Sequence, residues 1–405
     1  MHINFNVIIE FLPYLSIPIV SALVGWITNI VAIQMTFYPI NYVGIRPFGW
    51  QGIIPSKARK MAETAVDLWT TKLLDIGTQF SKIKPEKVAE EMAPSIDHLS
   101  KQIIDEVMEA KLPKIWQRAP ENIKHNVYVK VSESLPFIVE EMMKGVKLNF
   151  SEMLDLKYLA VSSLTQNKIL LNQMFLKCGE EEFKFIKKSG LYFGFMFGLI
   201  QMVVWYFFPL WWILPMFGIL VGYFTNFLAL KMIFRPLDPI KIGKLVIQGM
   251  FIRRQVEVAT EYSRIVASKI ITIENIFEYI IRGPGSKKLE KIVQQLIEYT
   301  IDSTAGLLKS LVEISTGSQL FIHIRNIATF RFMQELPMNI RHVFGYAENA
   351  LDLEHILRDK MIGLTSVEFE AFLRPVFKED ETTLIIIGAI LGGIAGLLQY
   401  FVVFY

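Results

Sequence analysis

Basic residues are missing from three long stretches of this 405-residue chain. All 42 lysines and arginines fall within residues 46–188 or 231–378, which leaves 1–45, 189–230 and 379–405 with none. Such stretches are free to lie in hydrocarbon, where a basic side chain at a helix centre costs about 2.5–3.5 kcal/mol. Cysteine is nearly absent. The single Cys178 excludes a disulfide framework and a Cys-based zinc site, fits a reducing compartment, and reads as a small buried thiol. Catalytic signatures are missing too. The six histidines form no HExxH or other close ligand pair, and no Walker A loop, GxGxxG after a strand or GxSxG is present. No metal, cofactor or catalytic residue is therefore expected, and the chain is not read as an enzyme. The start lacks a basic n-region and a small-residue cleavage site, so it is not read as a cleavable signal. A net charge of +3 is too small and too well balanced to suggest nucleic-acid binding.

The residues present are apolar, at 52% hydrophobic and 13% aromatic, with a mean hydropathy of +0.37. That is too apolar for a soluble domain, yet 20% charge is too much for a chain wholly in lipid. Four segments can cross a hydrocarbon core, which needs about 20 helical residues: 12–37, 190–208, 211–234 and 384–405. Between them lie mainly helical domains at 40–188 and 235–383. Leu99, Ile103 and Val107 make a helical stripe in the first, expected to start after Pro94 and stop before Pro113. Leu289, Ile292, Val293 and Leu296 make one in the second, opened by Gly283-Pro284-Gly285. Basic residues sit on one side of every span: Lys57, Arg59 and Lys60; Lys184, Lys187 and Lys188; Arg235 and Lys241; and Arg374. The positive-inside rule then places both domains in the cytosol and both termini outside. Trp205, Tyr206, Trp211 and Trp212 form an expected aromatic belt on the far side.

The chain also contains itself twice. Residues 18–39, PIVSALVGWITNIVAIQMTFYP, align with 215–236, PMFGILVGYFTNFLALKMIFRP, at a constant offset of 197 with ten of 22 positions identical. Chance would give roughly one or two. The offset recovers Gln51-Gly52 against Gln248-Gly249 and Leu154-Asp155-Leu156 against Leu351-Asp352-Leu353. At an offset of 198, Gly190, Gly194, Gly198 and Gln201 match Gly388, Gly392, Gly396 and Gln399. The unit is a membrane helix, a cytosolic helical domain and a second membrane helix, present in tandem. Each unit crosses the membrane an even number of times, so a parallel pseudo-two-fold repeat is expected.

Gly25, Thr28 and Asn29 share one helical face, as do Gly222, Thr225 and Asn226. Glycines four apart in the partner helices form a ridge for close backbone approach. This polar seam, with Gln201 and Gln399, reads either as helix packing or as a ligand path. Lys231, near a span end, is expected to snorkel. After each polar helix comes a Gly- and Pro-rich passage expected to be extended or turn-rich at the interface, with Trp50 or Phe251 dipping in. Lys57, Arg59, Lys60, Arg253 and Arg254 are the candidate headgroup-facing basic residues, each worth about 1 kcal/mol near an anionic surface; the alternative is a plain stop-transfer flank.

G-aromatic-x-T-N-xx-A-xx-M-x-F-xP, then QG and a basic pair, then the terminal GxxxGxxxGxxQ helix, resembles an uncharacterised bacterial membrane-protein family. It is known as domain of unknown function 445, with a close subset called uncharacterised protein family 0754. The resemblance implies an all-α, multi-pass protein of the bacterial cytoplasmic membrane and brings no assigned activity or cofactor. Two functions compete. One is a non-enzymatic membrane-anchored scaffold or adaptor; the other is a transporter or lipid-handling protein using the polar seam. The partners expected are membrane lipids, a cytosolic protein and a second copy of the chain, with no nucleic acid.

Overall fold

The computed structural model describes residues 5–45, 48–243, 245–312 and 318–404. The protein is all-α apart from small hairpins. Its chain divides into two compact units that interleave along the sequence. The first takes Met1–Leu73, Val161–Ile265 and Leu357–Tyr405; the second takes Leu74–Ala160 and Val266–Ile356. Each unit thus draws on both halves of the chain.

The first unit holds four helices long and apolar enough to span a membrane: Tyr14–Phe37 within the longer helix Phe5–Phe37, then Glu180–Phe207, Ile213–Phe234, and Glu381–Val402 at the end of a helix that starts at Ser366. They are numbered first to fourth below. The first packs along the second and the third along the fourth, with further contacts between second and third and between first and fourth. Local sequence sets their ends. Pro39 and Pro236, both after cis peptide bonds, follow the last turns of the first and third helices, where a residue without an N–H cannot continue the ladder. The helix leading into the fourth span opens on a capping box. Thr365 Oγ1 accepts from the Glu368 amide at 3.3 Å and Glu368 Oε2 accepts from the Thr365 amide at 3.0 Å. These bonds hold the Glu368 carboxyl below its ordinary value.

A hairpin follows each polar helix. Val43 and Trp50 form an antiparallel bridge in one, and Ile240–Ile242 pairs with Leu245–Ile247 in the other. Gln51 Nε2 donates to the Ile40 carbonyl at 2.7 Å, and Gln248 Nε2 to that of Leu237 at 3.0 Å. A Cβ on Gly52 would lie 2.7 Å from the Phe37 carbonyl carbon, and one on Gly249 2.5 Å from that of Phe234. The repeated Gln-Gly pair is therefore the clasp that closes the loop back onto its helix end. Trp69 in the segment Trp69–Leu73 donates through Nε1 to the Tyr262 hydroxyl, edge-on to its ring.

In the second unit, helices Pro85–Lys111, Glu121–Leu148, Ser286–Val312 and Ser318–Asn339 each pack on two of the others, which closes a four-helix ring. The stripe expected to begin after Pro94 belongs to a helix that begins at Pro85 and runs through Pro94. Proline at the first turn removes an N–H that lacks an intrahelical acceptor anyway, whereas Pro94 removes a single rung, and buried Val88, Met92, Leu99 and Val107 on either side hold the helix together. Leu-Asp-Leu stands at a helix start in both copies, before Leu156–Gln166 and Leu353–Ile362. Those two helices carry the chain from the second unit back to the first.

Candidate functional site

The seam between the first and second membrane helices is built from backbone on backbone. A Cβ on Gly25 would stand 2.3 Å from the Gly190 carbonyl oxygen, one on Gly194 2.5 Å from the Ser21 oxygen, and one on Gly198 2.6 Å from the Pro18 Cα. The third and fourth helices approach in the same way, with a Gly222 Cβ 2.1 Å from the Gly388 oxygen and a Gly396 Cβ 2.4 Å from that of Leu214. Any larger residue would hold these helices apart.

The polar residues close the seam. Asn29 is fully buried, and its Nδ2 donates to the Ile186 carbonyl at 2.6 Å; Asn226 Nδ2 donates to that of Leu384 at 2.8 Å. Thr28 and Thr225 turn back on their own helices, bonding the Gly25 and Gly222 carbonyls at 3.1 and 3.4 Å. Gln201 accepts from Ser21 Oγ at 2.8 Å. Its counterpart Gln399 is also buried, yet its Nε2 has no partner among the described residues. The position matching Ser21 is Gly218, where a Cβ would sit 2.2 Å from the Gly392 oxygen, so no serine fits there. Beside Asn226 a space of about 40 Å³ is walled by Ala32, Thr36, Ile186, Leu230 and Leu384 with Glu182, room for about two or three waters.

The basic residues divide. Arg59 and Lys60 are exposed, with Arg59 Nε 3.0 Å from Glu63, and Arg253 is exposed as well. Lys57 is half-buried. Arg254, expected at the headgroups, instead reaches Glu182, whose side chain is 1% exposed, with Nη1 at 2.9 Å from both carboxylate oxygens. The reason is that Glu182 is buried, and a buried carboxylate needs a hydrogen-bonded cation. Phe251, expected to dip into the interface, is buried and stacked on Phe234 at 5.2 Å. Trp205 leaves the aromatic belt to pack with Ile17, Ile213 and Leu214, while Tyr206, Trp211 and Trp212 are exposed. Lys231 lies 5.7 Å from the Phe227 ring centroid, a cation–π contact. Burial pushes the Cys178 thiol up.

Two features carried no signal in composition or spacing. The tip of the first hairpin presents Phe48 at 92% and Ile45 at 84% exposure. Between that hairpin and the last turns of the first membrane helix lies an open groove of about 800 Å³, bordered by Val31, Gln34, Met35, Tyr38, Asn41 and Trp50.

Sequence comparison agrees with a chain that holds four helices long and apolar enough to span a membrane. A UPF0754 membrane protein of a Cyanothece species is 31% identical over 91 residues, 22% of this chain and 22% of that protein. One from Bacillus thuringiensis subsp. konkukian is 29% identical over 127 residues, 31% of this chain and 32% of that protein. One from Microcystis aeruginosa is 31% identical over 99 residues, 24% of each. Its homologues are UPF0754 membrane proteins. In each case the matched stretch spans less than a third of the relative's own length. No family model matches, and no solved structure does. Like these UPF0754 relatives, the chain is a membrane protein.

Proposed function

We propose that the chain is a non-enzymatic, membrane-anchored scaffold, with its four membrane helices as the anchor and its water-facing helices as the working surface. One observation carries this reading: among the described residues, Asn29 and Asn226 on the inner faces of the membrane helix pairs are engaged in helix packing, over glycines too close for a passage. A conduit needs polar side chains aimed at water, and here Asn29 and Asn226 are aimed at backbone carbonyls of the neighbouring helix. The basic flanks support a cytosolic position for both long segments in the cytoplasmic membrane. Gln51-Gly52 and Gln248-Gly249 close the same clasp 197 residues apart, which supports a duplicated unit. A unit that crosses the membrane an even number of times puts both copies the same way up, which supports a rotation about the membrane normal.

Solvent access to the seam tests the reading. In a Cys178→Ala background, Asn226→Cys in proteoliposomes should stay unmodified by a small water-soluble methanethiosulfonate, while Val256→Cys on the exposed helix surface reacts. Rapid reaction at position 226 would overturn the anchor reading in favour of a transport path. Orientation is checked in intact cells: an impermeant thiol reagent that modified a cysteine placed at residue 120 or 320 would overturn the topology.

A further inference from the structure

The four-helix ring of the second unit has a hole in its core. Protein interiors are packed to the density of organic crystals, yet a space of about 120 Å³ remains on the axis where all four helices meet. Ile104, Val131, Ile297, Phe321 and Ala328 border it, at least one from each helix. Among the described residues, only two hydroxyls touch it, Ser100 and Thr300. Thr300 Oγ1 already donates to the Leu296 carbonyl at 3.0 Å. Among the described residues, no charged side chain lines the space.

We propose that this cavity is a binding site for the terminal hydrocarbon of an unbranched acyl chain. A polar ligand would lose its hydration there and find no exchange partner. Water gains nothing in it for the same reason, since an apolar cavity of this kind stays dry. The volume approaches the roughly 150 Å³ of an engineered apolar cavity that admits benzene, so it takes the last several carbons of a chain and not a whole lipid. The lining, mostly branched aliphatic side chains from four helices, conforms to a flexible chain. Small-molecule sites in bundles lie in this place, between facing helices. The site lies wholly within the second unit, so it stands whether or not the membrane helices act only as an anchor. Two sources offer the same chemistry, a free fatty acid and a phospholipid tail, and both are abundant around a membrane protein.

The test uses the full-length protein in nanodiscs with two probes in parallel arms. One is palmitic acid carrying a diazirine near its methyl end; the other is a phosphatidylglycerol with the same modified tail. After photolysis, mass spectrometry should place label on peptides containing Ile104, Val131 and Ala328. Excess unmodified palmitate should reduce labelling at those positions at least tenfold in the fatty-acid arm while the membrane helices keep theirs. Label in one arm alone identifies the source; label in both means the tail suffices. Ala328→Phe, which fills the space, should abolish the bundle label and leave the membrane label unchanged. If Ala328→Phe fails to fold, Val131→Leu fills less and should reduce the label severalfold. The competition arm needs no variant. Absence of bundle label in both arms, or bundle label that resists competition, overturns the proposal.

Discussion

Replacing Gly222 with alanine adds one methyl group at one of the two tightest points of the seam. Its Cβ would stand 2.1 Å from the Gly388 carbonyl oxygen and 2.6 Å from the carbonyl carbon, where ordinary contact starts at 3.4 Å. The deficit is 3.4 − 2.1, about 1.3 Å. Backbone atoms lie on both sides, so no flexible side chain can move aside and the third and fourth helices must separate by roughly that distance. Overpacking of this kind costs about 1–3 kcal/mol. Separation also lengthens the 2.8 Å bond from Asn226 to Leu384, an interhelical bond worth about 0.6–1.7 kcal/mol. The sum is about 2–5 kcal/mol, a 30-fold to 4,000-fold shift in the folding equilibrium at about 1.4 kcal/mol per decade. Leu220→Ala, on the exposed side of the same helix, is the matched control. Unfolding with sodium dodecyl sulfate in mixed micelles, followed by circular dichroism and tryptophan fluorescence, reads both. If Gly222→Ala lies within about 0.5 kcal/mol of that control, an ordinary surface effect, then close helix approach is not what holds this pair.

Three other outcomes follow from the same geometry. Asn29→Ala should cost about 1 kcal/mol, the loss of one interhelical bond, whereas Asn29→Leu should lower folded yield in detergent much more; equal yields would remove the steric part of the account. Arg254→Ala leaves the Glu182 carboxylate buried without its cation and should destabilise by about 3–5 kcal/mol, and adding Glu182→Gln should recover much of that loss; denaturant titration of both variants decides it. Because burial pushes the Cys178 thiol up, it should react with a maleimide at pH 8 at least tenfold more slowly in the folded protein than in dodecyl sulfate. Equal rates would mean the thiol is open to solvent.

The membrane helices were legible because spanning hydrocarbon demands a long apolar run and nothing else in the chain supplies one. The seam was legible for a different reason: a helix returns to one face every three or four residues, so Gly25, Thr28 and Asn29 had to lie together, and the glycines had to be the approach surface. Contacts joining one copy to the other left no such trace. Trp69 meets Tyr262, and Glu182 meets Arg254, yet the counterparts of Trp69 and Tyr262 at the repeat offset are Val266 and Ala65, so neither copy contains the pair. Pro94 misled for the opposite reason. A local rule about where helices start was overridden by burial along twenty-seven residues of one helix. The division into units could not be read from spacing at all, because it depends on which distant segments pack together.

Interleaving imposes a timetable on synthesis. The second unit needs Leu74–Ala160 and Val266–Ile356 together, and the ribosome must translate 356 − 160 = 196 further residues after finishing the first part. At about 5–20 residues per second that delay is about 10–40 s. Through it, the helices Pro85–Lys111 and Glu121–Leu148 can pair only with each other, and Ile104, Val131 and Leu135 face water. Two membrane helices, Glu180–Phe207 and Ile213–Phe234, emerge within the same interval. A nascent chain of this design is thus most vulnerable to aggregation while its membrane half is being inserted, and a gene cut at the repeat boundary would leave each fragment in that state permanently.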